Sequence, residues 1–199
     1  MPLDTVLAFA LFAFAAAITP GPSNALLMAT GAAVGVARGL PCALGVASSM
    51  GVMLAAAAAA LRGGGEVLGD PRFAIVVRIA GSAVLLWLAW RIASAPPDAP
   101  LQARRPAGFV GAAAMQWFNP KSWLVATGAA AAFTVAGRPP ALQAAVLGTV
   151  FFVVALPCNG LWLAAGSAIG RRLNDRRRRR AFNVAMGALL AASIALLWR

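Results

Sequence analysis

The chain has 199 residues, 61% of them hydrophobic and 11% charged, with a mean hydropathy of +0.81 and a formal net charge of +12. A soluble domain of this size needs far more polar surface, so the composition identifies an integral membrane protein and leaves no room for a soluble catalytic domain. The basic charge points away from nucleic acid, because no aromatic or Gly-rich RNA motif accompanies it.

Six apolar segments follow in chain order, at residues 6–36, 40–61, 73–92, 108–136, 141–169 and 181–197. Each is near or above the ~20 residues a helix needs to span hydrocarbon. The expected fold is an all-α membrane protein with six transmembrane helices in one domain, residues 1–199. The first segment is expected to stay as a helix, since Asp4 precedes it without Lys or Arg, the wrong charge for a secretory signal. Its middle reads TPGPSN, residues 19–24, with two prolines around a glycine. Gly31, Gly35 and Gly39 then fall four residues apart, the spacing of a flat stripe for helix packing. The second and fifth segments each contain Leu-Pro-Cys, ending at Cys42 and Cys158, and the fourth contains Asn119, Pro120 and Lys121 at mid-segment.

The one real linker, residues 94–108, is Pro-rich and splits the six helices into three and three, with halves at about 1–95 and 106–199. An odd number per half forces opposite orientations, the arrangement of an inverted-topology repeat whose first and fourth helices are both broken. Loops 1–2, 3–4 and 5–6 carry eleven arginines against four on the other side. That bias places those loops in the cytoplasm and both termini outside. The run Arg176, Arg177, Arg178, Arg179 and Arg180 is expected to fix topology and touch anionic lipid headgroups. Trp87, Trp90 and Trp198 read as interfacial anchors, and Arg78 as reaching the outer headgroups.

A proline within a helix frees backbone groups that hydrocarbon cannot solvate, so a break is tolerated only inside protein or beside a wet cavity. Each break also creates a helix N-terminus with unpaired N–H groups and positive partial charge. Lys121 lies 13 residues beyond Gly108, roughly 20 Å along a helix. It is the only lysine, against sixteen arginines. An ionisable group at that depth is a functional residue by default. Two N-termini and a lysine make a carboxylate site, with Thr19, Ser23, Asn24, Gln116 and Asn119 as neutral hydrogen-bonding groups around it. Asn159 is a further candidate for lining the path.

Through "ITPGPSN", "GAAVGVARGL" and "FVGAAAMQWFNPKSW", the chain resembles the LysE/RhtB family of bacterial amino-acid exporters over nearly its full length. The resemblance implies a six-helix inner-membrane exporter of amino acids or their derivatives, coupled to protons. It would put Pro20, Gly21, Pro22, Asn119, Pro120 and Lys121 around the translocation path. Many relatives read TPGPN, whereas Ser23 intervenes here before Asn24, so Ser23 stands beside Asn24 for that role.

No Asp, Glu or His falls within a predicted span, so a second cation on the substrate would meet no carboxylate. Neutral amino acids are therefore expected, and Lys121 is the main proton-coupling candidate. No metal site and no cofactor is expected. A soft-metal exporter would have only the two thiols as ligands, opposed by Lys121. A membrane thiol-disulfide electron carrier using Cys42 and Cys158 is the rival class, but the two cysteines are expected at different depths, too far apart to bridge. A scaffold protein without flux would leave Lys121 unexplained. A second copy of the chain is left open as a partner.

Overall fold

The computed structural model describes residues 1–62, 70–96, 107–135, 137–173 and 175–195, all helix, cap or short turn. Glu66, Asp98, Arg104, Arg105, Trp198 and Arg199, with most of the Pro-rich linker, lie outside the described residues. Helix α1 (Leu3–Ile18) stops where Thr19 turns extended, with φ −65° and ψ 129°. The following Pro20 disfavours helical geometry at that residue. Helix α2 (Pro22–Arg62) restarts on a proline, which suits a first helical turn because that N–H has no partner anyway.

Helix α2 is apolar over 40 residues, about 60 Å if straight and twice the hydrocarbon core. It is not straight. Gly35 has φ 79° and ψ 176°, and Thr30 Oγ1 lies 3.9 Å from Cys42 Sγ. Twelve residues of straight helix would separate those two by about 18 Å, so the chain doubles back at Gly35 into two limbs. Gly35 therefore makes the turn, and does not belong to the packing stripe its spacing suggested. Its positive φ is open to glycine at little cost.

Helix α3 (Pro71–Ala93) is capped by Asp70, which accepts from the Arg72 N–H at 2.7 Å. Helices α4 (Phe109–Trp117) and α5 (Pro120–Phe133) flank the second break. Helix α6 (Pro140–Arg172) passes through Pro157, and α7 (Arg176–Ala195) closes the described chain. Residues Pro22–Leu61, Ile75–Ala93 and Pro140–Arg172 are long and apolar enough to cross a membrane, while α1 is a shorter apolar helix. The outward-facing apolar side chains, such as Leu11, Val76, Leu124 and Leu161, are exposed, as lipid-facing residues are.

Three antiparallel pairings organise the bundle. Helix α1 and the first limb of α2 run against α4 and α5: Phe9 meets Phe133 with ring centroids 5.2 Å apart, Thr19 meets Lys121, and Ser23 meets Gln116. The second limb of α2 runs against α6, where Gly39 meets Leu163, Ala43 meets Asn159 and Gly51 meets Gly148. Helix α3 runs against α7, with Asn183 donating to the Ala95 carbonyl and Gly187 lying on Ala89. Small residues make the approaches possible, as is usual where lipid supplies no hydrophobic drive between helices. A Cβ on Gly31 or Gly166 would meet the carbonyl oxygen of Leu163 or Met28.

The Ala43–Asn159 contact also corrects the expectation about the cysteines. Each precedes one of the touching residues, and in an antiparallel pair those lie on opposite sides of the contact, so Cys42 and Cys158 stand within about 3 Å of the same level. The expected difference in depth does not hold because the second limb of α2 starts at the Gly35 reversal, ahead of the apolar segment that opens at residue 40. Both cysteines are buried and unpaired.

Candidate functional site

The pairing of α1–α2 with α4–α5 sets the TPGP break beside the NPK break. At the first break the end of α1 needs partners for its last carbonyls. Asn24 supplies two, donating from Nδ2 to Ala17 O at 3.1 Å and Thr19 O at 2.8 Å. Lys121 supplies another: its Nζ crosses from α5 and donates to the same Thr19 carbonyl at 2.7 Å. Gly21 makes room for it, since a Cβ there would stand 2.9 Å from Lys121 Cδ and 3.1 Å from Nζ. On the other side of the gap, the first-turn N–H groups of Ser23 and Asn24 have no hydrogen bond among the described residues; the ladder starts with Ala25 N–H to Gly21 O.

The second break closes on itself. Asn119 Oδ1 accepts from the Lys121 N–H at 3.1 Å, and the Asn119 carbonyl accepts from Ser122 and Trp123. Pro120 has no N–H to offer, so the first turn of α5 carries no donor in waiting. The backbone of the break is covered from outside by Trp123, whose indole donates to Trp117 O at 2.7 Å. Gly81 of α3 lies against Phe118 O and the Pro120 ring. The two N-termini expected to act alike are thus one open and one capped.

Between the breaks lies a polar cluster. Ser23 Oγ and Ser122 Oγ donate to Gln116 Oε1 at 2.8 and 2.9 Å, and Asn119 Nδ2 reaches Ser23 Oγ at 3.0 Å and Gln116 Oε1 at 3.3 Å. Gln116 and Asn119 are almost completely buried. Ser23, Asn24, Gln116, Asn119, Lys121 and Asn159 line one open cavity, with Ser122 and the apolar Val46, Met50, Val125, Phe151 and Ala155. Lys121 is its one charged lining residue. Asn159 is anchored by Nδ2 to Ala43 O at 3.1 Å.

Of the expected site residues, the prolines Pro20, Pro22 and Pro120 and the glycine Gly21 shape the breaks without lining the cavity. Thr19 also stays outside it: its hydroxyl turns back to Ala15 O at 2.5 Å and its carbonyl does the work. Sequence reasoning missed Ser122 and the apolar wall. Ser122 had a local signal, since it directly follows the NPK triplet, whereas Val46, Met50, Phe151 and Ala155 come from other helices and carry none. It also missed Gln143, whose buried amide clamps the α5–α6 turn through Val135 N, Val135 O and Arg138 O.

A cysteine/O-acetylserine efflux protein of Klebsiella pneumoniae is 32% identical over 114 residues, 57% of either chain. Proteins of the same name from Salmonella choleraesuis and Escherichia coli O1:K1 are 29% and 25% identical over 190 and 183 residues, each covering 92% of both chains. No solved structure matches. The profile of the LysE type translocator matches residues 14–197, so the chain belongs to that family: it is a multi-pass membrane translocator and not an enzyme.

Proposed function

We propose that this translocator exports small neutral amino acids or their derivatives across the bacterial inner membrane, binding them where the two helix breaks meet. The observation that carries the reading is Lys121 Nζ on the Thr19 carbonyl, which ties the lone lysine of the second break to the backbone of the first. A substrate carboxylate would take the open Ser23 and Asn24 N–H groups and the Lys121 ammonium, a helix N-terminus reinforced by a cation. The substrate ammonium would face carbonyls at the end of α1, where the helix dipole is negative.

Neutral substrates fit because the cavity lining has no acid to meet a second cation. The relatives' name adds short side chains such as those of cysteine and O-acetylserine as first probes. For the fold, we read six crossings in a single unit, residues 1–199, with the halves at about 1–95 and 106–199 related by an inverted repeat. The antiparallel pairings and the reversal at Gly35 support this. Both termini would then lie outside. Five successive arginines open α7, where the helix dipole disfavours cations; anionic headgroups at the cytoplasmic face would offset that. Lys121 is the proton-coupling residue of this reading, losing its proton as the carboxylate leaves. A second copy of the chain remains a candidate partner.

The test is counterflow of radiolabelled amino acids in proteoliposomes. Wild type should accumulate a neutral amino acid and Lys121→Ala should not. Lys121→Arg keeps the charge but cannot titrate, so it should retain exchange and lose proton-driven uphill export. Uphill export by that variant would remove Lys121 from the coupling step, and absence of any amino-acid flux in wild type would sink the export reading.

A further inference from the structure

The Gln116 carboxamide is engaged on one side only. Three donors converge on Oε1, from Ser23, Ser122 and Asn119, while Nε2, fully buried, has no partner. The only other buried side-chain polar atom without one, among the described residues, is Trp162 Nε1. Buried donors are normally paired, so each exception asks for a reason.

The orientation of the amide is fixed by a chain of contacts that starts in the backbone. The Lys121 N–H can only donate, so the Asn119 atom that accepts from it at 3.1 Å is the oxygen. The other end of Asn119 is therefore an NH₂ group, and it lies 3.3 Å from the Gln116 atom named Oε1. Exchanging oxygen and nitrogen on Gln116 would set two NH₂ groups against each other. Because a carboxamide is planar, with oxygen and nitrogen on different sides of its carbon, Nε2 turns away from the first turns of α2 and α5 that hold Oε1. The carboxylate end of a ligand belongs to those turns. Away from those turns the cavity lining is apolar, with Ala16 and Ala17 at the end of α1 and Val46, Met50, Val125, Phe151 and Ala155, and its one further polar residue, Asn159, is tied to Ala43.

We propose that Gln116 is a specificity residue for the substrate side chain: its Nε2 donates to an acceptor oxygen on a short neutral side chain, such as an ester carbonyl. An O-acyl amino acid is then preferred to one ending in a thiol, because sulfur is a weak acceptor and leaves the amide unpaired. This inference rests on the amino-acid export reading.

The experiment compares exchange of O-acetyl-L-serine and L-cysteine in proteoliposomes, as the ratio of their kcat/KM values. A ratio is independent of how much protein is folded. Wild type should favour O-acetyl-L-serine, and Gln116→Met, which keeps length but has no donor, should shift the ratio toward cysteine by about tenfold, the worth of one such hydrogen bond. Should Gln116→Met carry no flux, Gln116→Glu retains the oxygen that three donors need. Its second oxygen donates only while protonated, so its preference for O-acetyl-L-serine should fall as pH rises, beyond any change in wild type. An unchanged ratio in the variant that carries flux, whether both substrates fall together or neither does, overturns the assignment and leaves Gln116 a holder of the polar cluster. A wild type that exchanges no amino acid overturns the export reading as well, which separates the two failures.

Discussion

The two breaks look alike in the sequence, each a proline-initiated helix in mid-segment, and they differ in who satisfies them. At the NPK break one residue, Asn119, caps α5 with both its side chain and its carbonyl, and α3 braces the outside through Gly81. At the TPGP break nothing local suffices. The end of α1 relies on Asn24 from the following turn and on Lys121 from the opposite pair, and the first N–H groups of α2 have no partner among the described residues. A break that caps itself is rigid scaffold, whereas one completed by a distant side chain can exchange that partner for a ligand.

Substitutions at matched positions can break this contrast. The largest expected effect is Lys121→Ala, which removes the charged donor shared by both breaks and should lower amino-acid counterflow by about 100-fold, in line with losing one partner of a hydrogen-bonded charge. Circular dichroism should report unchanged helix content. Asn119→Ala comes next, and should show in stability first: loss of an N-cap costs about 1 kcal/mol, read as a lower melting temperature in detergent, with a smaller fall in flux. A variant that loses flux without losing stability would mean that the second break is not merely scaffold.

Gly21→Ala should leave the melting temperature nearly unchanged, because the atoms its methyl would meet are the flexible end of Lys121. It should raise the substrate KM several-fold by displacing that ammonium. Ser23→Ala and Ser122→Ala each remove one of three bonds to Gln116 Oε1, worth about 1 kcal/mol or less. Ser23→Ala should be the more harmful to flux, since Ser23 also accepts from Asn119 and adjoins the open turn. Equal effects would erase the distinction between the breaks. Thr19→Ala should be smallest, within about twofold in the same flux assay, because its exposed hydroxyl bonds only its own helix.

Much of the site was legible because its cause is local. The prolines of the TPGP and NPK motifs act on the turns beside them, and a lysine in mid-segment is conspicuous against sixteen arginines. The glycine at position 35 shows the limit. Its spacing from Gly31 and Gly39 fits a packing stripe, and only the fold-back that puts Thr30 on Cys42 reveals a turn. Asn24 shows another, since a residue expected to await a ligand has its amide committed to the α1 carbonyls.

The sequence by itself determined that the chain lives in a membrane, that two of its apolar segments are interrupted, and that one interruption carries the single lysine. These follow from apolar length, from the missing proline N–H and from the cost of an ion in hydrocarbon, all of which act within a few residues. Only the tertiary structure decided that the breaks meet, that one is capped while the other is open, and which way the Gln116 amide faces. The meeting of the breaks depends on hydrogen bonds between residues more than ninety positions apart, such as Ser23 with Gln116 and Lys121 with Thr19. Helix packing, not local propensity, brings such partners within reach.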